Sequence, residues 1–468
     1  MASAEDYGDV RIVITGVGGV SPVGDVKMHS ADGSPTAWSN TLAGYDGVTD
    51  IGETDMGRYE GYEKIVPLKL AAGVKEDIEN HPFIRENRHD SRYWGRAGMM
   101  AAIAIHDALD SAKVDLTSMD RWRIGHYMGS VFGGNGYSHH VDISREKLAP
   151  SEGTKNLFGQ VGLGPASYFK LKGRGGVEAV ECASSSFAAE SGITDLLPRQ
   201  FGRELLPPIA DMVIVGGTDG TFVPEPAAHF VKAFRGAPDT ITDDPRQAPR
   251  PFDRNTKGFV IGEGAVVMVA ESWDKAQERG VKEEDVLAEI VGFNSLTDAY
   301  NVTLAGLEGQ VRTMEAVLKM AEVALGDTIY VRGHGTGTLA GDAREALAVR
   351  EVIRRLGLDP EDFYVNSTMW ATGHMMGPAG IMGLYYAAMS VKSGVSPRPQ
   401  KITDPIPQLT DPSKELDFKL DLAVLAEHDL PQIPEKNVTS TTIPKVAISN
   451  AYGFSGGGTT IGVKKFIA

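Results

Sequence analysis

Apolar residues along the chain fall into short runs separated by glycine-rich turns and by segments of helical spacing. Residues 11–20, Arg-Ile-Val-Ile-Thr-Gly-Val-Gly-Gly-Val, read as a buried strand running into a glycine-rich turn. Its glycines miss the GxGxxG register, so this turn is not read as a nucleotide loop. Residues 95–109, rich in Ala, Met and Ile, predict a mostly buried helix. Core strands are predicted at 123–130 and 212–217, with a further strand-like run at 259–269. A helix at 273–279 closes at Gly280.

After Gly280 the alternation begins again. Strands are predicted at 287–293, up to Val331, near 363–366, at 446–449 and at 460–466, and helices at 309–325, 343–356 and 377–391. Residues 396–444 carry Pro, Asp and Lys with weak periodicity and predict a long surface excursion. Strands alternating with helices predict a layered α/β fold. The break near residue 271 divides it into two similarly built halves, 1–270 and 271–468.

Composition narrows the function classes. With 468 residues and 42% hydrophobic content the chain can bury a sizeable core. A net charge of -16 argues against a nucleic-acid binder working through a broad basic face. No basic stretch followed by an apolar run opens the chain, and no stretch of about 20 apolar residues occurs, so neither a signal peptide nor a membrane span is expected. The one cysteine, Cys182, excludes an internal disulfide and a thiolate metal cluster. A cytoplasmic location is expected.

Cys182 follows a β-rich run, 177–180, and precedes a small-residue helix, 183–189. A helix N-terminus offers free N–H groups and a positive dipole end, which lower a thiol pKa and can hold an oxyanion. Taken alone, the residue reads more readily as a small buried hydrophobe. Glu181 beside it opposes a thiolate. His334, in Gly-His-Gly-Thr-Gly-Thr, and His374, in Thr-Gly-His-Met-Met-Gly, each follow a predicted strand and precede a helix. Two neutral imidazoles facing one cysteine suit decarboxylative condensation: their N–H groups can hold an enolate while the cysteine carries the acyl group. No third ligand has the spacing of a zinc site, so no metal is expected.

Together these segments resemble the beta-ketoacyl synthase (ketosynthase) family, of which the chain looks like an atypical member. The resemblance is carried by Trp38, Leu42, Gly44 and Gly47; by 182–185, Cys-Ala-Ser-Ser; and by Gly-Gly-Thr-Asp at 216–219. It continues through Pro-Phe-Asp at 251–253 with 258–265, His334 to Thr338 with Gly341, Asp342 and Glu345, Gly373 to Gly377 with Ala379 and Gly380, and Asn-Ala-Tyr-Gly-Phe at 450–454. It implies a duplicated, five-layered α-β-α-β-α thiolase-like fold, with the nucleophile in the first half and both histidines in the second, usually as a homodimer, or as a heterodimer with a related subunit. It implies a beta-ketoacyl synthase of fatty-acid or polyketide synthesis, with Cys182 taking the acyl group and His334 and His374 serving decarboxylation and condensation. Cys182 and Phe454 N–H groups would form the oxyanion hole, Phe454 would gate the acyl pocket, and Thr336 and Thr338 would contact phosphopantetheine. No tightly bound cofactor is implied; acyl carrier protein or coenzyme A would bring the substrates. Lys64, Lys69, Arg199 and Arg203 are candidate docking cations.

The chain departs from the family near the centre. Met369 stands where the family has a lysine that pairs with the acid matching Glu345, leaving Glu345 unpaired, protonated or matched by another cation such as Arg344. Trp370 replaces a small residue and is expected to narrow the approach or reshape dimer-side packing. Glu181 replaces Ala, and one residue is inserted after Phe454. Two other readings follow: a thioester acyltransferase that does not decarboxylate, and a non-catalytic partner that shapes a pocket.

Overall fold

The computed structural model describes residues 10–29, 33–64, 66, 68–134, 150–155, 157–202, 204–224, 227–228, 244, 247–256, 258–398, 401, 438–439 and 444–468. The elements that build the core are, in chain order, β1 (Ile12–Ser21), α1 (Arg96–Ser111), β2 (Ile124–Gly129), α2 (Gln160–Phe169), β3 (Gly175–Glu178), α3 (Ser184–Asp195), β4 (Met212–Asp219) and β5 (Gly264–Ser272). They continue with β6 (Ala288–Thr297), α4 (Leu307–Met320), β7 (Ile329–Arg332), α5 (Leu339–Leu356), β8 (Phe363–Asn366), α6 (Ala379–Ser393), β9 (Val446–Tyr452) and β10 (Gly457–Lys464).

The strands form one sheet in the order β8-β7-β9-β10-β6-β1-β5-β4-β2-β3, with a short extra strand, Gly24–Asp25, paired to β1. The seam is an antiparallel pairing of β1 with β6 over Ile12–Ile14. Outward from it, both sides repeat the same sequence of neighbours: two antiparallel pairings, then two parallel ones. Helices α3 and α6 pack on each other and touch strands of both sides, while α1 and α4 cover the outer faces. This gives the five α-β-α-β-α layers. Helix α6 is buried continuously from Ala379 to Val391, as its all-round apolar sequence requires of a central helix.

Two sequence expectations change. The glycine-rich stretch after Ile14 is not a turn: β1 runs on to Ser21. A Cβ on Gly16 would lie 2.4 Å from the Ala108 carbonyl oxygen, and one on Gly18 would lie 2.3 Å from the Ala108 nitrogen. The missing side chains let α1 lie directly on the strand. Residues 259–263 are not part of a regular strand, and β5 begins at Gly264. They form an extended segment bridged to Ala72 and to His374, which makes them part of the site's scaffold. Most of the expected excursion, 402–437 and 440–443, lies outside the described residues.

Candidate active site

The chain leaves β3 at Glu178, tightens into a 3-10 turn over Glu181–Ala183, and enters α3 at Ser184. Glu181 takes a left-handed φ of 46°, an uncommon conformation for a residue with a side chain. Ser184 closes the turn: its Oγ accepts from Val180 N–H at 2.9 Å and donates to the Glu181 carbonyl at 2.5 Å. Cys182 lies inside this corner, 4% exposed.

His374 is fixed through its backbone. Its N–H donates to the Val260 carbonyl at 2.7 Å, and its own carbonyl accepts from Gly262 N–H at 2.8 Å. Gly373 before it has φ 59° and ψ -176°, a region essentially reserved for glycine. A Cβ there would also lie 2.8 Å from the Ala72 Cβ. His334 lies in the turn after β7, where Glu345 of α5 accepts from the His334 and Gly335 N–H groups, each at 2.8 Å. Asp342 of the same helix accepts from Gly337 and Phe252 N–H. Two carboxylates thus hold the backbone of the histidine turn.

These turns bring the three predicted groups together. His374 Nε2 stands 2.9 Å from Cys182 Sγ, and one ligand atom from each of Cys182, His334 and His374 lies within 4.8 Å of the others. The imidazoles meet edge to face with centroids 5.4 Å apart, and Phe259 packs on His374 at 5.3 Å. A Cys/His/His set is chemically able to bind zinc. However, two such ligands on one tetrahedral ion would stand about 3.5 Å apart; the 2.9 Å contact is a hydrogen bond's length.

Met376 N–H donates to His374 Nδ1 at 3.4 Å. The proton of neutral His374 therefore sits on Nε2, facing the sulfur. Burial, then the charge of Arg332, pushes His374 down to about 3. Burial, His374 and Arg332 hold His334 well below the ordinary histidine range. Both imidazoles are neutral N–H donors at neutral pH. His334 Nδ1 is buried without a described hydrogen-bond partner. The thiol moves opposite to expectation: burial first, then Glu181 and Asp219, pushes Cys182 up. Desolvation of a thiolate outweighs the helix-end dipole here.

A Cβ on Gly453 would lie 3.5 Å from Cys182 N, so the backbone at Gly453 passes beside the Cys182 amide. Phe454 packs, partly buried, against an apolar cluster that includes Phe222, Phe259 and Met376. The Thr336 and Thr338 hydroxyls face each other at 3.0 Å. Ser455, the residue after Phe454, takes φ 60° and donates its N–H to the Val302 carbonyl.

The departures resolve in part as expected. Burial raises Glu345, which accepts a third bond, from Asn450 Nδ2 at 3.0 Å, and another cation, Arg332, attracts its charged form. Arg344 instead lies over the Tyr300 ring and donates to the Ala305 carbonyl. Met369 is 1% exposed. Trp370 does not narrow an approach: it is 1% exposed within the central core, with Tyr330 and Tyr386 in the same cluster. Sequence reasoning missed Arg332, 1% exposed. The available signal was a charge ending the apolar strand Ile329-Tyr330-Val331-Arg332, two positions before His334. It also left unassigned Asp219, which accepts from Ser130 Oγ and from Val131, Phe132 and Gly377 N–H, tying the nucleophile side to the loop after His374. Lys64, Lys69 and Arg199 are exposed; Arg203 lies outside the described residues.

Comparison with known proteins agrees with this architecture. Residues 9–276 match the profile of the beta-ketoacyl synthase N-terminal domain, and 287–403 that of the C-terminal domain. The 3-oxoacyl-(acyl-carrier-protein) synthase 2 of Staphylococcus aureus is 30% identical, covering 98% of this chain and 99% of the relative. A putative mitochondrial 3-oxoacyl-(acyl-carrier-protein) synthase of Schizosaccharomyces pombe is 27% identical over the same shares. Among solved structures, a beta-ketoacyl synthase from Burkholderia phymatum superposes with TM-score 0.77 at 23% identity, covering 98% of this chain and 100% of that one. A type II polyketide ketosynthase solved with its acyl carrier protein and a hexaketide gives 0.75 at 19%, with the same coverage.

Proposed function

The chain belongs to the beta-ketoacyl synthase family of acyl-transferring condensing enzymes, and from that premise we propose how its own residues carry the condensation. The Cys182 sulfur attacks the carbonyl of an acyl thioester. The carrier's C–S bond breaks, and the departing thiolate takes up the proton lost from Cys182. A malonyl thioester then binds. Its bond to the carboxylate breaks, carbon dioxide leaves, and the electron pair forms an enolate whose oxygen is held by the N–H groups of His374 and His334. The enolate carbon attacks the acyl carbonyl, the Cys182 and Phe454 N–H groups hold the oxyanion, the C–S bond to Cys182 breaks, and the leaving Cys182 thiolate takes up a proton from solvent. A 3-oxoacyl thioester results. Glu345 holds the histidine turn, with Met369 packed in the supporting network.

The observation that carries this reading is the cluster of Cys182 with two neutral imidazoles, one at 2.9 Å from the sulfur. It favours condensation over simple acyl transfer, which needs no second imidazole, and over a non-catalytic partner, which needs no nucleophile. The test is intact mass after incubation with a panel of acyl thioesters, Cys182→Ala as control, followed by a malonyl thioester with carbon dioxide monitored. A Cys182-dependent adduct that becomes a longer 3-oxoacyl product is expected. An adduct without carbon dioxide release would replace this reading by acyl transfer.

The carrier is proposed to be acyl carrier protein, which the relatives' names specify, with Thr336 and Thr338 receiving its phosphopantetheine and Lys64, Lys69 and Arg199 as docking cations. Strand β3 ends the sheet, and a second copy or a related subunit pairing there would extend it. We read residues 1–270 and 271–468 as the two halves. No described helix is long and apolar enough to cross a membrane; the need for a free Cys182 thiol favours the reducing cytoplasm.

A further inference from the structure

We infer that Arg332 is the positioning cation of this centre, a clamp on both histidine-bearing segments that takes over the place left by the missing lysine at Met369. The inference rests on the roles proposed for His334 and His374.

The guanidinium ends β7 and is 1% exposed. Its Nη1 donates at 3.0 Å to the carbonyl of Gly333, the residue before His334. Its Nε and Nη2 donate to Thr368 Oγ1 at 3.3 and 3.0 Å. Thr368 caps the short helix Met369–Thr372, which delivers the chain to Gly373 and His374. One planar fork therefore spans both segments, a geometry that a lysine's point charge cannot reproduce.

Space for it is built into the opposite wall. A Cβ on Gly383 of α6 would lie 2.6 Å from Ser449 Oγ, 3.0 Å from Arg332 Nη1 and 3.2 Å from its Cδ. The neighbouring position 369, in turn, holds an apolar side chain and adds no second cation. A buried guanidinium is costly unless charge answers it. Burial pulls Arg332 below the ordinary guanidinium range, and the charged form of Glu345, already bonded to the His334 and Gly335 amides, opposes that pull. The charge of Arg332 acts on both imidazoles and disfavours their protonation. It thus adds to burial, the larger cause, in keeping them N–H donors, and it favours negative charge developing on a bound enolate.

The test uses the full-length protein, with Arg332→Met, Gly383→Ala and the exchange Arg332→Met/Met369→Lys. Thermal unfolding checks the fold, and NMR of histidine Cε1–H groups follows His334 and His374 against pH. Acyl loading and malonyl decarboxylation are measured separately across pH. In Arg332→Met both histidine titrations should move up, the acid limb of decarboxylation should move up with them, and decarboxylation should fall about tenfold or more while loading changes far less. The exchange should recover part of that loss. Gly383→Ala, whose Cβ would press on the guanidinium and on the uncharged Ser449 hydroxyl, should show the same signature at smaller size, and its histidine titrations decide the matter if Arg332→Met does not fold. Unmoved titrations and an unmoved acid limb in a folded variant, or equal losses of loading and decarboxylation with the wild-type pH profile, would overturn the inference. If the wild type itself loads and releases no carbon dioxide, the proposed function fails, and the histidine titrations still decide the role of Arg332.

Discussion

The corner that carries Cys182 and the corner that carries His374 occupy matching places in the two sides of the sheet. Each follows the outermost parallel strand, β3 or β8, and leads into one of the two central helices, α3 or α6. Their electrostatics are opposite. Around Cys182, burial is joined by two carboxylates, Glu181 and Asp219, and the thiol is pushed up. Around His374, burial is joined by the cation Arg332, and the imidazole is pushed down. Both shifts favour the neutral form. The comparison teaches that a repeated topology supplies two facing helix-entry corners, while the charges packed behind each set its protonation state: a protonated thiol on one side, neutral N–H donors on the other.

Several substitutions test that division. Cys182→Ala should abolish the acyl adduct and condensation, since no other thiol exists in the chain; intact mass reads this directly. His374→Ala or His334→Ala should lower malonyl decarboxylation by about 10²–10³, as loss of one oxyanion donor does elsewhere, with loading on Cys182 less affected. Equal loss of both steps would break the assignment of donors to one corner and nucleophile to the other. Gly373→Ala should destabilise the fold by about 3 kcal/mol, because φ 59° with ψ -176° and the Ala72 contact leave no room for a Cβ; a drop in unfolding temperature checks it.

The buried imidazole also sets a pH dependence. His374 lies near 3 when folded and at about 6.5 when unfolded. Between those values the unfolded chain binds more protons, so stability rises with pH and is lost as pH falls below about 6.5. Asp219, raised to about 6 by burial, contributes the opposite slope below that pH, so the measurement must be a difference. His374→Gln should lose about 2 kcal/mol less than wild type between pH 7 and pH 5, read from denaturant unfolding at each pH. The smallest effect is expected from Glu181→Gln. Removing this carboxylate should lower the thiol's titration and raise iodoacetamide alkylation of Cys182 near neutral pH by a few-fold. An unchanged rate would leave burial and Asp219 as the causes of the raised thiol.

The alternation of apolar strands and helices, the glycine-wrapped histidines and Cys182 before a small-residue helix were legible because they are local: periodicity, turn chemistry and motif spacing reside in neighbouring residues. The glycines of β1 misled for the same reason. Their use is contact with Ala108, ninety-two positions after Gly16, which no local pattern records. Likewise the stretch 259–263 reads as strand from composition, yet it serves as a brace for His374, more than a hundred residues away.

The sequence by itself determined the layered α/β class and singled out Cys182, His334 and His374 as candidates for the reactive side chains. The tertiary structure alone decided that Cys182 and His374 meet at 2.9 Å, that the thiol is raised and not lowered, that Trp370 belongs to the core, and that Arg332 joins both histidine segments. The physical reason is that desolvation and charge–charge interaction depend on distance and burial in space. Residues far apart in the chain set both quantities at once, and only the packed layers bring those residues together.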